Sequence, residues 1–229
     1  MSTPMLTLYR FDGACSLVPH AILAHFNIPF HAVPMVPGPS AGDPSAPGLG
    51  LRAADGSLSH ADYLKINPTG YVPALATESS AAVITEMPAV LAYIDAVAPH
   101  ARLFGETPVQ RAQVTEWLAW LSGTLHATGF GALWRPARFA ETEGARKEVE
   151  VKGRAIVDRS FARIDEKLVG REFAVGDGLT AADFNLYVFW FWGNKIGVDM
   201  AKVYPNYARL IKMVESLEGV KKMREVEHL

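Results

Sequence analysis

A lone cysteine, Cys15, stands in the run Gly13-Ala14-Cys15-Ser16, between a short apolar run from Met5 to Tyr9 and a stretch from Leu17 to Phe26. That stretch repeats its apolar residues at helical spacing. A sulfur at that junction meets the unpaired N–H groups and partial positive charge of a helix start. Both stabilise a thiolate and lower its pKa. The other reading of the same residue is a small buried hydrophobe. Two further stretches could do chemistry. In Tyr71-Val72-Pro73, a cis bond would turn the backbone N–H and C=O of Val72 outward to pair with an extended peptide; an ordinary trans proline entering a strand is the alternative. In Thr85-Glu86-Met87-Pro88, a helix start offers N–H groups to a carboxylate and the Glu86 side chain can accept from an ammonium. A zwitterionic amino-acid group suits both; a glutamate favoured there by the helix dipole alone is the alternative.

The elements that must position these residues are legible in the periodicity. Leu6 to Arg10 reads as a strand, Leu17 to Phe26 as a helix and Phe30 to Val36 as a second strand, which predicts a parallel pair with a right-handed crossover. Pro37 to Gly56, dense in proline and glycine, reads as a surface loop without hydrophobic period. Ser59 to Ile66 predicts a short helix stopped by Asn67-Pro68. Val72 to Thr77 and Ala81 to Thr85 form a hairpin about the polar turn Glu78-Ser79-Ser80. A helix opens at Glu86-Met87-Pro88 and ends before Pro99. Everything beyond is helical: Gln110 to Leu133 as one run, Glu141 to Leu168, a nearly all-apolar Thr180 to Phe191, and a surface helix from Pro205 to Leu217. The predicted organisation is residues 1–99, a linker at 100–107 and an all-α domain over 108–229. Thr180-Ala181-Ala182-Asp183 has the form of a capping box with Asp in place of Glu or Gln, a structural device. Trp117, Trp120, Trp190 and Trp192 are expected in the core or an interface.

The 229 residues carry a net charge of −2, which predicts no general attraction to nucleic acid or anionic lipid. One cysteine excludes an intramolecular disulfide, CxxC redox chemistry and thiolate zinc sites. The seven histidines show no metal-ligand pairing, so no catalytic metal is expected. There is no GxGxxG and no phosphate-binding loop. No apolar run approaches the roughly 20 residues that span a bilayer, and the start lacks a leader pattern, so the expected location is the cytoplasm.

Gly13 to His20, Asn67 to Leu75, Glu116-Trp117-Leu118, Leu125-His126, Arg135-Pro136 and Thr180 to Asp183 fall in the order and spacing of a known family. The chain resembles the cytosolic glutathione S-transferases, most of all their beta (bacterial-type) class, from Leu6 to about Val220. The resemblance implies an α/β thioredoxin-like N-terminal domain that binds glutathione as co-substrate and an all-α C-terminal helical bundle that lines the electrophile site. It implies that Cys15 approaches the glutathione sulfur, that Val72, next to cis-Pro73, pairs with the cysteinyl backbone, with Tyr71 also in the glutathione site, and that Glu86 and Met87 hold the γ-glutamyl end. Ser16 and then Tyr9 rank after Cys15 as activating donors, because other classes use those residue types here. His126 is implied to assist as donor or proton carrier, and Phe130 and Trp134 to line the electrophile side. The sequence departs from the pattern at Met87, usually Ser or Gly; at Ala127, often Lys; at Thr124, where an acidic residue can serve the partner subunit; and in a longer loop after Val36. The function implied is conjugation of glutathione to small hydrophobic electrophiles, with thiol-exchange or peroxidase side activity, in a homodimer. A glutathione-dependent thiol-disulfide oxidoreductase using Cys15 and a non-catalytic binding or scaffold protein are the alternatives.

Overall fold

The computed structural model describes residues 4–38, 50–78 and 82–229. Two compact units form. One runs to Leu103 and takes in Val214–Leu229; the other is Phe104–Met213.

In the first unit, strands β1 (Leu6–Arg10), β2 (Phe30–Val36), β3 (Arg52–Ala53), β4 (Ala74–Thr77) and β5 (Val83–Thr85) make one sheet in the order β3-β2-β1-β4-β5. β1 and β2 are parallel, Leu6 opposite Phe30, with helix α1 (Leu17–His25) as the crossover. β4 runs antiparallel to both β1 and β5, the hairpin expected; residues 79–80 of its turn lie outside the described residues. Successive side chains of a strand face opposite ways. Leu6, Leu8 and Arg10 are therefore buried on one side of β1. Tyr9 on the other side joins a second cluster of Met35, Leu51, Ala53, Ala74 and Tyr63, the last delivered by α2 (His60–Ile66). Ser59 caps α2 by accepting from the Asp62 N–H. Helix α3 (Met87–Val97) buries Val90, Leu91 and Ile94.

The stretch read as a loop over 37–56 is not free throughout. Residues 39–49 lie outside the described residues, but Arg52 and Ala53 pair with Val36 and Met35, and Leu51 and Ala53 are buried. A two-residue strand has no period to read; its partner, not its own sequence, makes it a strand.

In the second unit, the run from Gln110 to Leu133 is not one α-helix. α4 (Pro108–Trp120) passes into a π-helical segment, Leu121–Phe130, and then α5 (Gly131–Trp134). A π-helix closes i→i+5 bonds, and the buried residues of the segment, Leu121, Leu125, Gly129 and Phe130, recur at four to five rather than at 3.6. The Thr128 hydroxyl donates to the Gly123 carbonyl, five residues back. Helix α6 (Glu143–Lys167) crosses α5 so closely that a Cβ at Gly153 would fall 2.6 Å from the Leu133 nitrogen. α7 (Ala181–Lys195) is buried along most of its length, as its composition predicts. A short α8 (Met200–Val203) and α9 (Pro205–Ser216) follow; α9 buries Tyr207, Leu210, Ile211 and Val214. A final helix, α10 (Glu218–Val226), absent from the sequence reading, packs on α1 in the first unit. The sequence alone places these last residues in the all-α domain; their seat on α1 puts them in the first unit.

Candidate active site

Cys15 sits in the turn between β1 and α1, half-buried. Its thiol donates to the Val72 carbonyl oxygen at 3.2 Å, so two stretches 57 positions apart meet at the sulfur. The Val72–Pro73 bond is cis. The loop that carries it is fixed from below: the Tyr63 hydroxyl (2.6 Å) and Asn67 Nδ2 (2.7 Å) both donate to the Tyr71 carbonyl. Tyr63 and Asn67 are buried. Tyr63 was not singled out from the sequence, where it reads as one apolar position of α2. A carbonyl oxygen has two lone pairs, so Val72 can accept from Cys15 and from an added N–H together.

Ser16 and Tyr9, the two rivals for an activating donor, stand in different surroundings from Cys15. Ser16 is fully buried, and its hydroxyl accepts from the Phe11 N–H (3.0 Å) and donates to the Phe11 carbonyl (3.2 Å). It closes the turn that holds Cys15 instead of facing a ligand. Tyr9 lies with its ring 5.4 Å from that of Tyr63, and burial pushes its phenol above the ordinary value.

Glu86 precedes α3 with φ 64° and ψ 124°, a conformation L-residues rarely adopt. Its side chain is exposed, and Met87 beside it is buried. Holding a non-glycine residue there costs about 1–3 kcal/mol, and such strain gathers at ligand clamps. Glu86→Gly is therefore expected to raise the melting temperature, by about 2 °C for each half to one kcal/mol of relief in a chain of this size, while weakening the bound ligand. Thermal unfolding alongside a ligand titration checks it; a fall in melting temperature would remove strain from the account.

In the second unit the residues expected at the electrophile side form an aromatic cluster. Trp134 is 44% exposed and rests on Phe130 (4.6 Å) and Trp192 (5.0 Å). Phe130 is 1% exposed, enclosed by Trp134, Phe161, Phe189 and Trp192. Phe130 is thus part of the core that backs the exposed ring, not an open wall; its place on the π segment turns it inward. The sequence reading missed Trp192 and Phe189 as partners here. His126 packs on Trp192 (5.1 Å) and Phe189 (6.1 Å). Burial first, and then the charges of Arg135 and Arg138, push its pKa down to about 4. At neutral pH it is an uncharged ring that can donate one N–H and accept at the other nitrogen.

That depression has a sign. A folded pKa of about 4 below an unfolded value of about 6.5 gives stability that is whole above about 6.5 and lost as the pH falls through about 4. His126→Gln is expected to melt with a flatter acid limb than the natural chain between about pH 6.5 and 4. Parallel limbs in the two pH series would contradict it.

Among the described residues no group of three or more His, Cys, Asp or Glu could hold a metal ion, and no helix is long and apolar enough to cross a membrane.

A mixed sheet with a cysteine at the head of its first helix and a cis-proline loop beside it, followed by a helical unit, is the glutathione transferase fold. The family profile "Glutathione S-transferase, N-terminal domain" matches residues 13–97, and "Glutathione S-transferase, C-terminal domain" matches 125–218. The glutathione S-transferase GST-4.5 of Xanthomonas campestris is 30% identical over 198 residues, 86% of each chain. A beta-class glutathione S-transferase of Sphingomonas chungbukensis is 26% identical, with a TM-score of 0.79 over 96% of this chain and 98% of that one. A sphingomonad glutathione S-transferase solved with glutathione is 28% identical, with a TM-score of 0.75 over 97% and 99%. The chain belongs to the glutathione S-transferase family. It is an enzyme that uses glutathione as its co-substrate.

Proposed function

We propose that the enzyme conjugates glutathione to small hydrophobic electrophiles, with Cys15 beside the glutathione sulfur, Tyr71, Val72 and Pro73 along its cysteinyl backbone, and Glu86 and Met87 at its γ-glutamyl end. The glutathione thiolate forms the new carbon–sulfur bond, and the leaving group departs with the electron pair of the bond it breaks. The observation that carries this reading is the meeting of the Cys15 thiol and the Val72 carbonyl at 3.2 Å, at the start of α1. There the helix dipole favours an anion. In this reading the unit running to Leu103 with Val214–Leu229 serves glutathione, and Phe104–Met213 carries the electrophile side, with the exposed face of Trp134 as apolar surface and His126 as a neutral donor. The family supports a homodimer working in the cytoplasm.

The test is glutathione-dependent turnover of an activated aryl halide. Glu86→Ala is expected to raise the half-saturation concentration for glutathione about tenfold or more, the equivalent of a charge-assisted hydrogen bond of about 1.5–3 kcal/mol. An unchanged half-saturation concentration would remove Glu86 from the site. Saturable glutathione binding without turnover would turn the reading toward a binding protein.

Cys15, half-buried at the head of α1, favours a second activity, exchange with glutathione mixed disulfides.

A further inference from the structure

Glu227, just beyond α10, returns its carboxylate to the turn that carries Cys15. The side chain is fully buried. Oε2 accepts from the Gly13 backbone N–H at 2.9 Å. Oε1 accepts from His20 Nδ1 at 2.7 Å and lies 3.9 Å from the Arg10 guanidinium, which also pairs with Asp12. Arg10, Gly13 and His20 belong to the end of β1, the turn and α1, so one carboxylate ties together the three consecutive segments that carry Cys15.

Helix α10 is seated to deliver that carboxylate. A Cβ at Gly219 would fall 2.3 Å from the backbone nitrogen of His25, so α10 meets α1 at backbone contact. Val220 and Met223 are fully buried. A buried carboxylate is costly unless its hydrogen bonds are made. Here they are made to the turn, from 214 positions away in sequence. From within, Ser16 closes the same turn through Phe11.

We infer that Glu227 is a positioning residue for Cys15: its grip on Gly13 and His20 sets where the sulfur stands relative to the Val72 carbonyl. The inference deepens the proposed function and rests on its reading of Cys15. Reach matters more than charge in this arrangement. Arg10 keeps Asp12 when Glu227 is neutral, and the amide oxygen of glutamine can still accept from Gly13 while His20 takes its other tautomer. An aspartate is one methylene too short.

The experiment uses the full chain and the variants Glu227→Gln, Glu227→Asp, Glu227→Ala and Met223→Ala, the last loosening α10 while leaving the carboxylate. Alkylation of the single thiol by iodoacetamide, followed by mass, reports on Cys15 without any catalytic assumption. Turnover of an activated aryl halide gives kcat and the KM for glutathione. Asp and Ala are expected to shift the alkylation rate about threefold or more and to lower kcat about twofold or more, no further than loss of the Cys15 donor itself would. KM should hold, and Gln should restore both readings. Should the Ala variant fail to fold, Asp against Gln carries the same comparison. The inference falls if Met223→Ala moves the alkylation rate as far as the Glu227 variants do, if Asp restores it and Gln does not, or if none of the Glu227 variants moves it. A shifted alkylation rate with unchanged kcat upholds the positioning of Cys15 and removes Cys15 from the conjugation step instead.

Discussion

Asp183→Ala is expected to cost about 3–5 kcal/mol of folding stability. The carboxylate is completely buried at the start of α7. It accepts from the Ala174 N–H, the Thr180 N–H and the Thr180 hydroxyl, each at 2.8 Å. Alanine leaves those donors buried without an acceptor, and each such donor costs about 1–3 kcal/mol. Against a typical total of about 5–15 kcal/mol, the melting temperature should fall by about 10 °C. Asparagine should also lose stability, because it turns an N–H₂ toward N–H donors. Burial pushes the Asp183 pKa up to about 6 against the hydrogen bonds that pull it down. A folded value raised above about 3.9 adds stability that is whole below about 3.9 and lost as pH rises through about 6. The penalty of Asp183→Ala should therefore widen as the pH falls from about 7 to 4. Thermal unfolding across that range checks both points. A melting temperature within about 2 °C of the natural chain's at every pH would show that α7 does not depend on this cap.

The capping box was legible because its residues are local: Thr180 and Asp183 lie three apart and ask nothing of the rest of the chain. The same holds for α1, for α2 with its Asn67-Pro68 stop, and for the strands whose alternation shows one buried side. What escaped reading depends on partners far away in sequence or on a period that mimics another. Arg52 and Ala53 are a strand only because Val36 and Met35 lie beside them. Leu121 and Leu125 fit both α and π spacing, so the switch of backbone near Leu121 and the inward turn of Phe130 carry no signature in residue types. The site divides the same way. Cys15, Val72 and Glu86 stand at junctions whose chemistry is local. Ser16 follows Cys15 at the head of α1, yet whether its hydroxyl faces Phe11 or a ligand is a matter of rotamer. Glu227 is an isolated acid with no local reason to matter, and its partner Gly13 is 214 positions away.

Cys15→Ala is expected to abolish thiol-disulfide exchange with a glutathione mixed disulfide while leaving a substantial part of conjugation. The two reactions ask different things of the sulfur. In exchange, the Cys15 thiolate attacks the glutathione sulfur of the mixed disulfide; the bond to the other sulfur breaks and that thiolate leaves. A second glutathione thiolate then attacks the Cys15–glutathione disulfide, giving glutathione disulfide and restoring the Cys15 thiolate. No other cysteine exists in the chain to take over. In conjugation, on the proposed reading, the nucleophile is the glutathione thiolate and Cys15 a neighbouring donor. One neutral hydrogen bond is worth about 0.5–1.5 kcal/mol, which corresponds to a loss of about two- to tenfold. Cys15→Ser separates the roles further: a hydroxyl can donate to a thiolate but cannot form the mixed disulfide, so it should conjugate at least as well as the alanine variant and exchange no better. Parallel assays on the same preparations, with an activated aryl halide and with a glutathione mixed disulfide, decide the matter. Exchange that survives in both variants would move the redox chemistry off Cys15. Conjugation lost as completely as exchange would make the cysteine a participant in bond formation in both reactions, contrary to a donor role confined to hydrogen bonding.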